Sequence, residues 1–402
     1  MSKKRIMILG AGPFQVPAIK KAVSLGLHVI TVDYLPDNIG HKFSHEYVNC
    51  STTDREGVLK AARKMKIKGI STFSSDVAVP TVAHVSEHMG LPGTSFATAE
   101  AMTYKHFFRA FQQKNALACP TFAVACSVEE AWNKVQSHSF PIISKPVDTS
   151  GSRGICKVSN CDQLEVTEAF SHAIKYSPLG TVCLEEFIDG LEVGGDGFLL
   201  DGKLIFMAIT NKYMNGFVVA GHCIPASISH FDQIRVQKAI EDCCKALKYE
   251  NGPFNFDVIV NSDQIFILEM SARNGGNGIP SVIKRAMGTD LEMMTIKHAV
   301  GDDPGTIITN PKHDAACSFI FGSQDEGLLK HINRVDIVRS EVPEVFELFL
   351  TKNPGDKVPV FTHNGNLLGY ALFDCSQLED YESITQRILQ ALDIEISKRD
   401  VR

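Results

Sequence analysis

Short apolar runs alternate with amphipathic segments over the first part of the chain. Compact apolar runs predict strands, and apolar residues three or four apart predict helices. The predicted elements are strands at 5–9, 28–32 and 69–73 and helices at 16–25, 54–66 and 77–89. Strands separated by helices are typical of a parallel sheet. We therefore expect residues 1–95 to form a small α/β domain.

The pattern becomes richer in strands after a strongly helical stretch over 98–115, which Cys119-Pro120 breaks. The strands that follow are predicted near 121–125, 140–145, 154–158, 181–187, 193–199, 204–209, 217–223, 254–260 and 264–269. Helices are predicted near 128–135, at 231–247 and from about 281. We expect residues 96–304 to form the central domain, with 118–190 as a flap within it.

The last part of the chain reads as a small α+β domain over 305–402. Strands are predicted at 315–321, 335–338, 358–361 and 367–373, and a helix at 379–392. Turn signals such as Asn353-Pro354-Gly355 separate these short strands.

Composition narrows the class of protein without naming an activity. The chain has 402 residues, and its formal net charge of -6 carries no strong nucleic-acid signal. No apolar run approaches the ~20 residues of a membrane-spanning helix. The run Ile6–Leu9 is also too short for the core of a signal peptide. The 11 cysteines form no CxxC pair, so we expect free, mostly buried thiols and a cytoplasmic protein.

The first glycine turn is a weak nucleotide-binding signal. Gly10-Ala11-Gly12 follows a strand, and Asp33 ends the next one, as in dinucleotide-binding units. However, the third glycine position is Gln15. Asp33 is equally an ordinary turn residue, and the glycines could serve tight packing instead.

A stronger phosphate signal lies further along the chain. Lys145 stands at the end of an apolar strand, where a charge is costly without a partner anion. The segment Thr149-Ser150-Gly151-Ser152-Arg153-Gly154 follows, and such small residues let backbone N–H groups approach a phosphate. The alternative interpretation of this loop is a simple hairpin turn.

A strand that runs into a short linker comes next, in Leu184-Glu185-Glu186-Phe187-Ile188-Asp189-Gly190. Its exposed backbone could bond to a purine edge, and Glu192 could accept from ribose hydroxyls. A solvated acidic hairpin is the alternative.

Asp257 and Glu269 stand on two strands that flank the turn at 261–264. Counting outward from this turn places the two carboxylates directly opposite each other in a hairpin. Like charges in that position repel unless a cation lies between them. Two carboxylates together with phosphate oxygens suit Mg²⁺. The alternative is a bulge that exposes one carboxylate. Arg273 follows as a candidate phosphate or carboxylate clamp.

These elements, in this order, resemble the ATP-grasp superfamily of carboxylate–amine ligases, most closely its L-amino-acid ligase and biotin carboxylase-like branch. The resemblance implies an ATP-grasp fold with a Rossmann-like N-terminal domain and a small C-terminal α+β domain. It implies nucleotide binding by Lys105, Lys145, Ser150, Gly151, Ser152, Gly154, Glu185, Glu186, Phe187, Ile188, Glu192 and Asn274. Metal binding falls to Asp257, Glu269 and Ser271, where the family commonly has asparagine at the third position.

Three further residues would take part in catalysis by the same resemblance. Arg273 matches the arginine that holds the substrate carboxylate or acyl phosphate, and Lys212 resembles a phosphate-binding lysine. His222 lies where some amino-acid ligases carry a histidine. A core histidine is the alternative interpretation of this residue.

The implied reaction consumes ATP with Mg²⁺ (Mn²⁺ as a substitute) to activate a carboxylate as an acyl phosphate, which an amine then attacks. We expect an amino-acid substrate, a homodimer, and neither nucleic-acid nor membrane partners. A purine-pathway or carbamoyl-phosphate-type ligase is the alternative within the fold. An NAD-binding Rossmann protein and a non-catalytic nucleotide-binding module are the alternatives outside it.

Overall fold

The computed structural model describes residues 3–305, 307 and 315–398, and it divides into two compact units. The first unit comprises Met1–Met207, Ile228–Gly276 and Leu291–Thr306, and the second comprises Ala208–Ser227, Asn277–Asp290 and Ile307–Arg402. The first unit thus contains nearly all of the two predicted N-terminal domains. The predicted domain 305–402 falls in the second unit from residue 307 onward, and residues 306, 308–314 and 399–402 lie outside the described residues.

The N-terminal elements form the predicted parallel sheet. They are β1 (Arg5–Leu9), α1 (Val16–Ser24), β2 (His28–Asp33), β3 (Glu46–Asn49), α2 (Arg55–Met65), β4 (Gly69–Thr72) and α3 (Val79–Met89). The strand order is β3-β2-β1-β4, and every pair is parallel. Alternate residues of β1 pack into two separate cores, Ile6 and Ile8 into one and Met7 and Leu9 into the other. The predicted βαβ unit is therefore confirmed.

The helical stretch predicted over 98–115 is confirmed, and the chain forms it as two helices. They are α4 (Phe96–Thr103) and α5 (Lys105–Lys114). Tyr104 adopts an extended conformation between them, with φ −90° and ψ 118°. The N–H of Lys105 then donates to the carbonyl oxygen of Val147 at 2.9 Å instead of continuing the first helix. This break places Lys105 at the first position of the second helix.

The flap predicted at 118–190 contains its own antiparallel sheet and core. Its elements are β5 (Phe122–Ala125), α6 (Val128–Val135), β6 (Ile142–Pro146), β7 (Cys156–Val158), α7 (Gln163–Ile174) and β8 (Val182–Glu186). The strand order is β5-β8-β6-β7. The sequence analysis missed α7, although Asp162 provides its N-cap by accepting from the N–H groups of Leu164 and Glu165.

The middle of the chain adds the strands that carry the predicted metal ligands. Its elements are β9 (Leu191–Leu200), β10 (Lys203–Asn215), β11 (Val218–Ile224), α8 (His230–Leu247), β12 (Gly252–Val260), β13 (Ile265–Ser271), α9 (Ile279–Met287) and α10 (Leu291–Ala299). In the first unit β12 pairs antiparallel with both β9 and β13. This three-stranded arrangement carries Glu192, Asp257 and Glu269.

The second unit is built on an antiparallel sheet. Its C-terminal elements are β14 (Ala315–Phe321), β15 (Gly327–His331), α11 (Val335–Glu341), β16 (Val345–Leu350), β17 (Lys357–Val358), β18 (Gly369–Cys375), α12 (Asp380–Leu392) and β19 (Glu395–Lys398). β11, β14, β18 and β16 are neighbours in that order, and β17, β15 and β19 form a smaller sheet. The strand predicted at 335–338 is wrong, since α11 covers it. An alternating pattern of only four residues is too short to distinguish a strand from a turn of helix.

The expectation that all cysteines are free is wrong for one pair. Cys223 and Cys317 are direct cross-strand partners on β11 and β14, and a disulfide joins them. The Sγ atom of Cys375 lies 3.5 Å from that of Cys317. The remaining nine cysteines are free thiols, of which Cys126 and Cys161 are exposed. Periodicity alone did not reveal which two strands would become neighbours.

Candidate active site

Two carboxylates face each other across the hairpin of β12 and β13. Asp257 pairs directly with Glu269, which confirms the register predicted from the turn. The ladder shifts register immediately after Asp257, so a bulge is present, yet both carboxylates are half-buried. A cation between them would remove their mutual repulsion. The hairpin therefore offers a candidate cation site.

A second polar row lies beside this pair. Asn255 is opposite Ser271 on one side and opposite Asp196 on the other. Residues two apart share one face of a strand, so Asn255 and Ser271 lie on the face of the carboxylate pair. The Oγ atom of Ser271 is buried, and no atom in the described part of the chain hydrogen-bonds to it. This oxygen is the third predicted metal ligand, and within the described residues its capacity to bond is unused.

Asp196 was not predicted, although its place in the glycine-rich stretch Gly194-Gly195-Asp196-Gly197 is a usable signal. Its side chain is fully buried. The amide nitrogen of Asn255 and the N–H of Gly275 both donate to its carboxylate, at 2.9 Å and 2.8 Å. Burial raises the pKa of Asp196 to about 6, although these two hydrogen bonds oppose the increase. Asp196 thus anchors the turn that follows β13.

Lys105 connects the loop after β6 with the carboxylate pair. Its Nζ atom donates to the carbonyl oxygen of Thr149 at 2.7 Å. The same atom lies 3.6 Å from Oε2 of Glu269. The break at Tyr104 positions this lysine by starting a new helix at it. One ammonium group therefore lies between a loop proposed for phosphate and a carboxylate proposed for metal.

Lys145 lies near the end of β6 and is nearly buried. Its Nζ atom is 2.7 Å from Oε2 of Glu185, on the neighbouring strand β8. A buried arginine that the sequence analysis missed, Arg109, contacts the same carboxylate at 3.0 Å. Burial alone would raise the pKa of Glu185, but Arg109 and Lys145 outweigh it and lower the pKa to about 2. Glu185 is therefore ionised and held by two cations.

The loop at 150–154 has the backbone expected of a tight phosphate-binding turn. Gly151, Ser152 and Gly154 all have positive φ, at 70°, 64° and 73°. A Cβ at Gly154 would lie 2.9 Å from the ring of Tyr176, so only glycine fits there. Ser150 lies at the start of the turn, and its carbonyl oxygen accepts from Arg153. The nucleotide-binding role of this loop stays a prediction.

The linker after β8 begins where it was predicted. β8 ends at Glu186, and the N–H of Phe187 donates to the carbonyl oxygen of Pro141 at 3.0 Å. The ring of Phe187 lies 3.7 Å from the ammonium group of Lys157. Ile188 is half-buried, and Glu192 lies on β9 opposite Ile259. The adenine and ribose roles assigned to these residues stay predictions.

Arg273 forms an ion pair that the sequence analysis did not anticipate. Its Nε atom donates to Oδ1 of Asp76 at 2.9 Å. Asp76 lies just after β4, at the carboxyl end of a parallel sheet, where ligand-binding residues of α/β folds are common. Asn274, predicted to contact the nucleotide, is fully buried, and its Oδ1 accepts from Thr295 at 2.7 Å. This contact stabilises the fold, and the nucleotide-binding role of Asn274 stays a prediction.

Lys212 and His222 belong to the second unit, where they are direct partners on β10 and β11. The imidazole of His222 is only 2% exposed, and its Nδ1 lies 2.9 Å from the hydroxyl of Thr210. Burial, assisted by the charge of Lys212, lowers the pKa of His222 to about 3. The core-histidine interpretation therefore fits His222, and the ring lacks the exposure that substrate contact would need.

The glycine turn after β1 serves packing. Asp33 accepts hydrogen bonds from the N–H groups of Ala11 and Leu35, one on each carboxylate oxygen, both at 3.0 Å. The side chain of Gln15 fills the space beside the turn, since a Cβ at Gly12 would lie 3.0 Å from its Oε1. Both carboxylate oxygens of Asp33 are thus already engaged by backbone N–H groups of the chain itself. These contacts weigh against the dinucleotide interpretation.

Several of the predicted residues line one cleft within the first unit. Its walls include Lys105, Ser150, Glu269, Ser271 and Arg273. Asp76, Asp148 and Asn255 also line it. The cleft therefore brings together residues of the β12–β13 hairpin, Lys105 and the start of the loop at 150–154.

Two comparisons identify this architecture. Residues 138–281 match the ATP-grasp domain family. The L-amino acid ligase from Bacillus licheniformis superposes with a TM-score of 0.82 over 100% of both chains, at 21% identity. Residues 138–281 are therefore an ATP-grasp domain, and the chain has the ATP-grasp fold. The predicted family and fold are thereby confirmed.

Two further proteins are similar to this chain, one in sequence and one in structure. The carbamoyl phosphate synthase large chain of Thermotoga neapolitana is 27% identical over 326 residues, which is 74% of this chain but 28% of that protein. The chain therefore aligns with little more than a quarter of that relative. The biotin carboxylase domain of the 2-oxoglutarate carboxylase from Hydrogenobacter thermophilus, a dimer solved with MgADP and bicarbonate, has a TM-score of 0.73. It is 16% identical and covers 99% of this chain and 91% of its own.

The residues of this ATP-grasp cleft fit a magnesium–nucleotide complex. Asp257, Glu269 and the unbonded hydroxyl of Ser271 are hard oxygen donors on one sheet face, as Mg²⁺ requires. Among the described residues, no group of three or more His, Cys, Asp or Glu side chains is placed to hold a metal ion. Phosphate oxygens and water would complete the coordination shell, as is usual for Mg²⁺.

Proposed function

We propose that this ATP-grasp protein is an ATP-dependent carboxylate–amine ligase that forms a C–N bond and releases ADP and phosphate. One observation supports the proposal above all others. Lys105 hydrogen-bonds the phosphate loop and lies 3.6 Å from Glu269, which is paired with Asp257. Phosphate-binding and metal-binding groups thus meet at one ammonium group. Phosphoryl transfer needs this combination of positioning and charge neutralisation.

The residues divide the chemical work. Lys105 and Lys145 neutralise phosphate oxygens, and the loop at 150–154 donates backbone N–H groups to them. Asp257, Glu269 and Ser271 would hold Mg²⁺, which stabilises charge on the transferring phosphoryl group when bound. The substrate carboxylate attacks the γ-phosphorus of ATP, and an amine then displaces phosphate from the acyl phosphate. Arg273 holds the carboxylate and stabilises the oxyanion.

An amino acid is the proposed carboxylate substrate. Arg273 and Asp76 place opposite charges side by side at the cleft, which complements the carboxylate and ammonium groups of a zwitterion. The likeness to an L-amino acid ligase over the whole chain supports the same class. Lys212 keeps its predicted role toward phosphate.

Phosphate release tests this proposal directly. Purified protein with MgATP is assayed for ADP and phosphate against a panel of amino-acid pairs, with Mn²⁺ as a second metal. We expect stoichiometric ADP, phosphate and amide product for at least one pair, and none with Glu269→Gln. If no acid–amine pair drives ADP formation while ATP still binds, the protein is a non-catalytic nucleotide-binding module.

A carbamoyl-phosphate-type or purine-pathway ligase is the second candidate. The sequence match to the carbamoyl phosphate synthase large chain favours it. The same assay distinguishes the two, because turnover with bicarbonate, formate or a phosphoribosylamine in place of an amino acid would support the second candidate.

The predicted homodimer and cytoplasmic location stay predictions. Every helix among the described residues is too short or too polar to cross a bilayer. Sedimentation of the purified protein would measure the oligomeric state.

A further inference from the structure

Arg109 is a charged side chain in an unusual place. It lies on α5, four residues after Lys105, and its side chain is fully buried. Arginine is almost never fully buried unless it is paired. Arg109 has no role in the proposed reaction, so the burial of its charge needs a physical reason.

The contacts of Arg109 supply that reason. Its Nε atom lies 3.0 Å from Oε1 of Glu185, and Nη2 donates to Oε2 at 3.1 Å. One charge-assisted hydrogen bond, from Nη2, and the close ion contact at Nε thus hold the carboxylate, although Nε itself makes no hydrogen bond within the described part of the chain. Nη2 also donates to the carbonyl oxygen of Leu268 at 2.8 Å, and Nη1 donates to Gln112 at 2.7 Å. Arg109 therefore ties Glu185 of the flap to β13, directly before Glu269.

Glu185 has a second cationic partner in Lys145. The Nζ atom of Lys145 is 2.7 Å from Oε2, the oxygen that Nη2 of Arg109 also contacts. Two cations on one carboxylate leave a net positive charge in a buried cluster. The ammonium group of Lys105 also acts on this cluster and adds positive charge. The remaining titratable groups that face it are thiols: Cys183 donates to Oε1 of Glu185 at 3.4 Å, and Cys119 donates to the carbonyl oxygen of Arg109. Burial raises the pKa of both thiols, so they add no charge near neutral pH.

The surplus charge matters for phosphate binding. A buried carboxylate with a single cation would lose its only partner if that cation moved to a phosphate, and an unpaired buried charge is costly. Arg109 remains bound to Glu185 whatever Lys145 does. The ammonium of Lys145 can therefore transfer to an incoming anion without leaving Glu185 unpaired.

We propose that Arg109 is a positioning residue for the nucleotide: it is the permanent counterion of Glu185 and thereby frees Lys145 to bind phosphate. This inference rests on the proposed nucleotide-binding function. It predicts that removing Arg109 couples nucleotide binding to protonation of Glu185, because the carboxylate would then need a proton when Lys145 leaves it.

The test measures ADP binding to the full chain by calorimetry at several pH values between about 6.5 and 8.5, where Glu185 of the wild type stays ionised. We expect Arg109→Met to weaken binding by about tenfold or more at the highest pH. Relative to wild type, its affinity should recover as the pH falls, by at most about tenfold per pH unit for one proton. Arg109→Lys, which keeps the charge, should restore most of the affinity.

A double variant separates this mechanism from a merely structural role. Arg109→Met with Glu185→Gln removes both charges, so Lys145 has no carboxylate to leave. It should bind ADP more tightly than Arg109→Met alone, with no added pH dependence. A structural role for Arg109 predicts the reverse order, and that result would overturn the proposal.

Arg235→Met is the matched control. Arg235 also pairs with a carboxylate, Asp232, and donates to a main-chain carbonyl, that of Asn261, but it lies on α8 and does not contact Glu185 or Lys145. Its ADP affinity and pH profile should match those of wild type. If wild type itself does not bind ADP, the proposed function fails; if wild type binds and Arg109→Met behaves like the control, only the role of Arg109 fails.

Discussion

Asp257 and Glu269 are direct partners across an antiparallel hairpin, with their carboxylates on one face of the sheet. The repulsion between them is tolerated in the folded chain, which makes the pair a site prepared for a cation. Removing one charge should therefore lower activity by weakening the binding of that cation.

We expect Asp257→Asn and Glu269→Gln each to reduce ATP turnover by about a hundredfold or more, since metal coordination contributes several kcal/mol to the reaction. Asp263→Asn, at the exposed turn of the same hairpin, is the control and should turn over ATP at the wild-type rate. Turnover at the wild-type rate in either site variant would contradict the cation-site interpretation.

Lys105→Met should raise the KM for ATP by about tenfold or more, because a hydrogen bond to a charged group contributes about 1.5–3 kcal/mol. Steady-state ADP release at varied ATP measures this. Lys114→Met removes an exposed lysine from the last turn of the same helix and should leave the KM unchanged. Equal effects of both variants would show that Lys105 acts only through the net charge of the helix.

The ion pair between Asp76 and Arg273 should be important for stability as well as for substrate binding. Asp76→Ala leaves the buried guanidinium of Arg273 without its carboxylate, which costs about 3–5 kcal/mol for a buried pair. Urea unfolding measures the loss. Asp302→Ala, which breaks an exposed pair with Lys4, should cost at most about 1 kcal/mol. Similar losses in both variants would show that solvent reaches Arg273.

The buried His222 should make the protein less stable in mild acid. Its pKa is about 3 in the folded chain and about 6.5 when unfolded, so the unfolded state binds one proton more between these values. Stability is therefore lost as the pH falls below about 6.5, by up to about 1.4 kcal/mol per pH unit from this group. Urea unfolding of His222→Asn between pH values of about 5 and 6.5 should show a correspondingly shallower slope. His331→Asn, at an exposed histidine, controls for a general effect of replacing histidine. If the free energy of unfolding depends on pH equally in wild type and in His222→Asn, the low pKa of His222 is refuted.

Alkylation can test the disulfide. Unfolded in the absence of reductant, the chain should take up label at nine cysteines, with Cys223 and Cys317 protected. Reductant should make all 11 reactive. Labelling of all 11 without reductant would mean that both remain thiols in the purified protein. Peptide mapping by mass spectrometry identifies the protected pair.

Local patterns in the chain were sufficient for much of the fold and part of the candidate site. The alternation of strands and helices indicated the parallel N-terminal sheet, and the turn at 261–264 set the pairing of Asp257 with Glu269. Both depend on interactions between residues that are close in sequence. Where a short pattern was ambiguous, as at 335–338, the same reasoning chose the wrong element.

What the sequence by itself determined was the family, the hairpin register and the identity of the charged residues. Only the tertiary structure decided their partners. It paired Asp76 with Arg273, 197 positions along the chain, and Arg109 with Glu185, 76 positions along. It also placed His222 in a core and Gln15 beside Gly12. The physical reason is that burial and ion pairing depend on which distant segments pack together, and no local pattern of hydrophobic and polar residues carries that information.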